Sequence, residues 1–145
     1  MDFDLDNAIG YIIETTEQAL KRGLRRRFRK AGFPVTPYQW VILYRLWDQD
    51  GLTQTELADI TLRHKPTVTR IIDVLSRQNL VRREAHPDDR RSFKVYLTHE
   101  GRELRNILPE IASEYLQDFT EGIPQSDLER TKQVLRKIRN NAERE

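Results

Sequence analysis

Apolar residues at Ile9, Ile12, Ile13, Leu20, Leu24 and Phe28 recur at helical spacing between about Asp6 and Lys30, until Gly32 and Pro34 end the pattern. The spacing predicts a long amphipathic helix. Thr36-Pro37-Tyr38-Gln39 then offers an N-cap threonine, a proline at the first helical position and a glutamine three residues after the cap, which opens a helix through about Gln49. Asp50-Gly51 breaks it. Thr53-Gln54-Thr55-Glu56 repeats the capping box ahead of a short helix to about Leu62, and Pro66 starts the next, whose buried stripe is Val68, Ile71, Ile72 and Leu75. Ala58 is small where these two helices are expected to cross.

After Asn79 the period changes to two. Val81, Arg83 and Ala85 alternate with Arg82 and Glu84, then Phe93, Val95 and Leu97 with Lys94 and Tyr96, which predicts two antiparallel strands. The connector His86-Pro87-Asp88-Asp89-Arg90-Arg91-Ser92 is too long for a tight turn. Thr98 caps a helix expected to run to about Gly122 with a bend at Pro109, and Ser126-Asp127-Leu128-Glu129 is a capping box for the last helix. Leu104, Leu108, Ile111, Tyr115 and Phe119 form one stripe here, and Leu128, Leu135, Ile138 and Ala142 another. Packed only on one another, the terminal helices would leave apolar surface uncovered, and a twofold homodimer is the simplest remedy. Ile12, Leu108, Ile111, Tyr115, Leu135 and Ile138 are its candidate contacts.

The outline is mainly α with a small β wing: a winged helix-turn-helix over 33–98, flanked by long dimerisation helices over 1–32 and 99–145. In that architecture the second helix of the pair enters the major groove of DNA. Lys65, Thr67, Thr69 and Arg70, near the start of that helix, are the candidate contacts, with Arg70 suited to grip guanine bidentately.

Composition narrows the function further. The chain has 145 residues with 25 Lys+Arg against 23 Asp+Glu, and no cysteine, which excludes disulfides, thiolate zinc, iron–sulfur ligation and thiol redox sensing. Its longest apolar runs, such as Trp40 to Leu43, are far below the roughly 20 residues of a membrane span. The acidic start Met-Asp-Phe-Asp-Leu-Asp is unlike a secretory signal, so a cytoplasmic location is expected. Charge is segregated. Residues 1–20 hold five acids and no base, 21–30 hold Lys21, Arg22, Arg25, Arg26, Arg27, Arg29 and Lys30, and 63–94 hold nine bases against four acids. Local excess of this kind marks a footprint for polyanions. His64, His86 and His99 fall in three separate elements without metal-ligand spacing, the serines show no nucleophile motif, and no glycine-rich phosphate loop is present. The expected protein is no enzyme and needs no cofactor or metal. A winged-helix module that binds protein without specific DNA readout is the rival, separable by a salt-dependent duplex-binding assay.

The segment Asp89-Arg90-Arg91-Ser92-Phe93-Lys94-Val95-Tyr96-Leu97-Thr98-His99-Glu100-Gly101 fits an Asp-x-Arg, five-residue, Leu-Thr-x-x-Gly signature. With Thr53–Ala58 and Pro66–Leu75 upstream, the chain resembles the MarR (multiple antibiotic resistance regulator) family of transcription factors. The resemblance implies a homodimer whose wing arginine enters the minor groove. Asp89 would orient Arg91, with Arg90 beside them, because a narrow minor groove concentrates negative potential that a guanidinium reads. It also implies a ligand-responsive repressor on a pseudo-palindromic operator. A small aromatic or anionic effector would sit between the dimerisation helices and the winged domain, with Phe28, Tyr38, Trp40 and Tyr44 as candidate lining.

Overall fold

Capping chemistry decides where the central helices begin. In the computed structural model, which describes residues 2–144, Thr36 Oγ1 accepts from the Gln39 N–H at 3.2 Å and Gln39 Oε1 accepts from the Thr36 N–H at 3.1 Å. Pro37, which has no N–H to lose, then starts the helix. Thr53 and Glu56 form the same reciprocal pair, both bonds at 3.1 Å. The helices are α1 (Ile9–Lys30), α2 (Pro37–Asp48), α3 (Gln54–Thr61), α4 (Lys65–Arg77), α5 (His99–Glu103), α6 (Leu108–Phe119) and α7 (Gln125–Ala142). No described helix is long and apolar enough to cross a membrane.

The Glu56 carboxylate lies below the ordinary glutamate range, chiefly because it accepts from the Thr53 backbone N–H and also bonds the Thr53 side chain; slight burial opposes this, and Lys94 and His86 assist. A depressed carboxylate stabilises the fold above its unfolded pKa and loses that contribution as pH falls through the folded one. Urea stability of the wild type should therefore fall more steeply in acid than that of Glu56→Gln, whose amide caps at every pH. Thr53→Ala should cost about 1 kcal/mol at neutral pH.

The chain's contacts divide it into two compact units, 1–115 and 116–145. In the first, Phe28 of α1, Ile42, Leu43 and Leu46 of α2, Leu57 of α3 and Val68, Ile72 and Leu75 of α4 close on Leu108 with essentially no exposure. Three antiparallel strands flank them in the order β1-β3-β2, with β1 at Leu52–Thr53, β2 at Val81–Ala85 and β3 at Phe93–Leu97. Val81 pairs with Leu97 and Ala85 with Phe93. Strand β1 has only two residues, too few to show a period of two, so the pattern predicts the hairpin and misses the third strand. Asp50 secures this edge, its Oδ1 accepting from the Leu97 N–H at 2.9 Å.

The helix expected from Thr98 to Gly122 is broken. After α5 the backbone tightens into a 3-10 turn at Leu104–Asn106, Ile107 leaves helical geometry at φ -121°, and α6 restarts at Leu108. Pro109 offers no N–H to the Arg105 carbonyl, and its ring crowds that carbonyl, so the predicted bend becomes an interruption. In the second unit, Ser126 and Glu129 form no capping box. Pro124 is the N-cap and its carbonyl accepts from the N–H groups of Asp127 and Leu128, which places Ser126 inside α7. No residue of α7 is buried.

Candidate nucleic-acid interface

Helix α4 is sorted by its own periodicity. Val68, Ile72 and Leu75 are sealed in the core, which turns Lys65 and Arg70 to solvent and leaves Thr67 and Thr69 half-buried. Thr69 spends its hydroxyl proton on the Lys65 carbonyl at 2.9 Å, so toward a ligand it presents an acceptor. Arg70 makes no hydrogen bond or ion pair with any described residue. The turn before α4 is tight: Leu62, at φ 55°, takes the left-handed conformation that ends α3, and the Arg63 N–H closes onto the Ala58 carbonyl at 3.0 Å. Ala58 is buried there, as its size suggests.

The wing is anchored to this helix by residues that the sequence reading left unassigned. Arg83 of β2 pairs with Asp73 of α4 and reaches the Thr69 carbonyl at 3.5 Å. Strand and helix are thereby joined by side-chain contacts as well as by the backbone. Beyond them, the His86 N–H donates to the Ser92 carbonyl at 3.1 Å, and Asp89 organises the tip, with its Oδ1 accepting from the Arg91 N–H at 3.0 Å and its carbonyl from the Ser92 N–H at 3.1 Å. The Arg91 guanidinium lies 3.9 Å from the Asp89 carboxylate and its side chain is 95% exposed, so Asp89 shapes the backbone of the tip more than it holds the guanidinium. Arg90 beside it is exposed as well.

The Leu-Thr-x-x-Gly segment joins the wing to the next helix. Thr98 Oγ1 donates to the Asn79 carbonyl at 2.7 Å and accepts from the Gly101 N–H at 3.1 Å, while the Thr98 N–H meets the Leu80 carbonyl at 3.1 Å. Asn79 itself adopts φ 60°, the conformation that asparagine tolerates at a helix end.

The candidate effector residues separate. Phe28, Trp40 and Tyr44 share one aromatic cluster, with ring centroids 5.8 Å and 5.6 Å apart along the chain of contacts. Trp47, absent from the candidates although it follows Trp40 by seven residues on the same helix, completes it 5.8 Å from Trp40, and its indole N–H donates to the Gly101 carbonyl at 2.9 Å. Phe28 is fully buried and so is packing, whereas Tyr44 and Trp47 line a cavity of about 310 Å³ with Asp48, Arg105 and Pro109. Tyr38 lies elsewhere, between Lys21 and Arg63. Among the described residues no cluster suits a metal ion.

The candidate dimer contacts divide too. Ile12 and Leu135 are exposed and Ile138 is half-buried. Leu108 is a correction: it is fully buried in the chain's own core, because the interruption before α6 turns it inward. Ile111 packs partly buried against that core, and Tyr115 covers Gly23 of α1 so closely that a side chain there would collide with its hydroxyl.

Residues 35–93 match the profile of the MarR family. Over that stretch the chain is similar to the MarR family. An uncharacterized HTH-type transcriptional regulator of Bacillus subtilis, YhbI, is 37% identical over 73 residues, which cover 50% of this chain and 47% of that relative. The match thus spans about half the relative's length. A second from the same organism, YsmB, also described as an uncharacterized HTH-type regulator, is 28% identical over 77% of both chains. Among solved structures, the S. aureus MepR–DNA complex superposes with a TM-score of 0.83 at 25% identity, covering 92% of this chain and 98% of that one. The three-stranded winged helix described above is the MarR fold, and the family signature falls on the wing tip and the joint behind it.

Proposed function

We propose that this chain is a MarR-family, sequence-specific double-stranded DNA-binding transcription regulator, acting as a ligand-responsive homodimeric repressor on a pseudo-palindromic operator in the cytoplasm. The observation that carries the reading is the pair of outward-facing cations, Arg70 exposed on α4 and Arg91, 95% exposed on the wing tip, presented by two elements that the Asp73–Arg83 pair joins. The likeness to a relative solved on DNA supports it. Residues 33–98 would dock, and the segments 1–32 and 99–145 would dimerise. Selection of random duplexes by the purified protein should recover an inverted repeat with half-site centres ~10 bp apart. Arg70→Ala should relax preference at one position per half-site, at a cost of about 1–3 kcal/mol. Selected sequences without dyad symmetry would overturn the geometry.

Exposed apolar residues support assembly: Ile12 on α1 and Val134 and Leu135 on α7 each leave more than a third of their surface uncovered. Sedimentation at micromolar concentration should show a dimer, and Leu135→Glu should shift it to monomer while leaving the far-UV circular dichroism of the chain intact. The effector would be a small aromatic anion in the cavity beside Tyr44 and Trp47. Arg105 would meet its charge and the rings its face.

A further inference from the structure

Lys21 of α1 and Arg63 of the turn before α4 converge on one ring. The Lys21 ammonium lies 4.4 Å and the Arg63 guanidinium 5.4 Å from the centroid of Tyr38, at the start of α2. Cation–π attraction accounts for either contact singly. Two cations on one ring also repel each other, and only Lys21 has a described carboxylate partner, Glu17. Arg63 spends one N–H on the Thr61 carbonyl at 3.1 Å and forms no ion pair with an acid among the described residues. The phenol oxygen accepts from the Lys21 ammonium at 2.8 Å, which leaves the phenol's own hydrogen to be donated to another group. Tyr38 is 41% exposed, so a ligand can reach it. Partial burial of Lys21 opposes its charge, but the hydrogen bonds to Glu17 and Tyr38 outweigh that and keep its pKa above the ordinary lysine value.

We infer that Lys21, Tyr38 and Arg63 hold a backbone phosphate of the DNA duplex at the edge of the recognition helix. The site rests on the DNA-binding reading and adds to it a contact outside both the recognition helix and the wing. Arg63 stands two residues before Lys65, at the end of α4 that carries Lys65 and Arg70, so a strand passing that end runs beside it. The phosphate would accept from the phenol and the guanidinium and relieve the repulsion between the two cations. Lys21 fixes the phenol's orientation, so it acts as the positioning residue. The basic face continues along α1 to Arg25 and Arg29, which border the start of α2 at Thr36.

The test is fluorescence anisotropy of the full chain on its selected duplex and on an unrelated duplex, across a series of salt concentrations. Arg63→Ala should weaken both duplexes by the same factor, roughly fivefold per site. It should also reduce the slope of log K against log salt by about 0.9 per site. Arg63→Lys should restore the slope, which a folding defect would not allow. Tyr38→Phe should weaken both duplexes equally with the slope unchanged, because no charge is lost. Wild-type affinity and slope in both Arg63→Ala and Tyr38→Phe would overturn the site alone. Weakening confined to the selected duplex would overturn it in favour of base reading. A wild type that binds no duplex would overturn the DNA-binding reading and this site with it.

Discussion

Gly101→Ala is expected to destabilise the protein by roughly 3 kcal/mol, measured as a lower urea midpoint with an unchanged slope. A Cβ at this position would lie 2.1 Å from the Leu80 carbonyl oxygen and 3.2 Å from the Leu97 side chain. The nearer atom is backbone at the end of the α4–β2 connection, so relief requires moving α5 away from the sheet. That movement would strain the Trp47 indole bond to the Gly101 carbonyl and the Thr98 bond to the Leu80 carbonyl, both of which span separate elements. Gly10→Ala is the contrast. Nothing lies within 4 Å of a Cβ there, and alanine in that helix should be neutral or stabilising by a few tenths of a kcal/mol. If Gly101→Ala matched Gly10→Ala, the final glycine of the signature would have no packing role.

The contrast also explains what could be read from the chain. Local devices were legible: the Thr36 and Thr53 boxes, the Val81–Ala85 and Phe93–Leu97 strands, and the buried stripe of α4 all follow from spacing within a few residues. Features set by distant partners were not. The two-residue β1 exists because β3 offers an edge, and Trp47 matters because Gly101 accepts its proton from 54 positions away. Tyr38 is the clearest case among the site residues. One-dimensional spacing places it with Trp40 and Tyr44, whereas its ring is claimed by cations from α1 and the α3–α4 turn. Pro109 shows the limit from the other side, since resumption of the apolar pattern at Ile111 concealed a break that backbone chemistry enforces.

Arg91→Ala is expected to weaken operator binding at least tenfold per wing, about 1.4 kcal/mol or more, while leaving the chain folded. It should also lower the salt slope by roughly 0.9 per wing, less if the groove and not a phosphate receives the charge. Asp89 supplies the sharper test. Its carboxylate is bonded to the Arg91 N–H at 3.0 Å, closer than the 3.9 Å to the guanidinium, so a neutral acceptor should serve nearly as well. Asp89→Asn should therefore bind close to wild type, and Asp89→Ala should approach the loss seen for Arg91→Ala. The double variant Asp89→Ala with Arg91→Ala should be little worse than the worse single one, because both act through one contact. Additive losses with an unaltered salt slope would make the tip a structural turn only.

Both tryptophans of the chain, Trp40 and Trp47, belong to the one aromatic cluster, and Trp47 forms a wall of the cavity. The protein's tryptophan emission, excited selectively above the tyrosine absorption, thus arises from a single neighbourhood, at the seam between α2 and the helix that follows the wing. A quencher or absorbing ligand entering the cavity should dim that emission without any added label, and a duplex bound at α4 and the wing, none of whose residues line the cavity, should change it only if occupancy is transmitted through contacts such as the Trp47–Gly101 bond. Steady-state fluorescence therefore reads cavity occupancy and its coupling to DNA in the same cuvette.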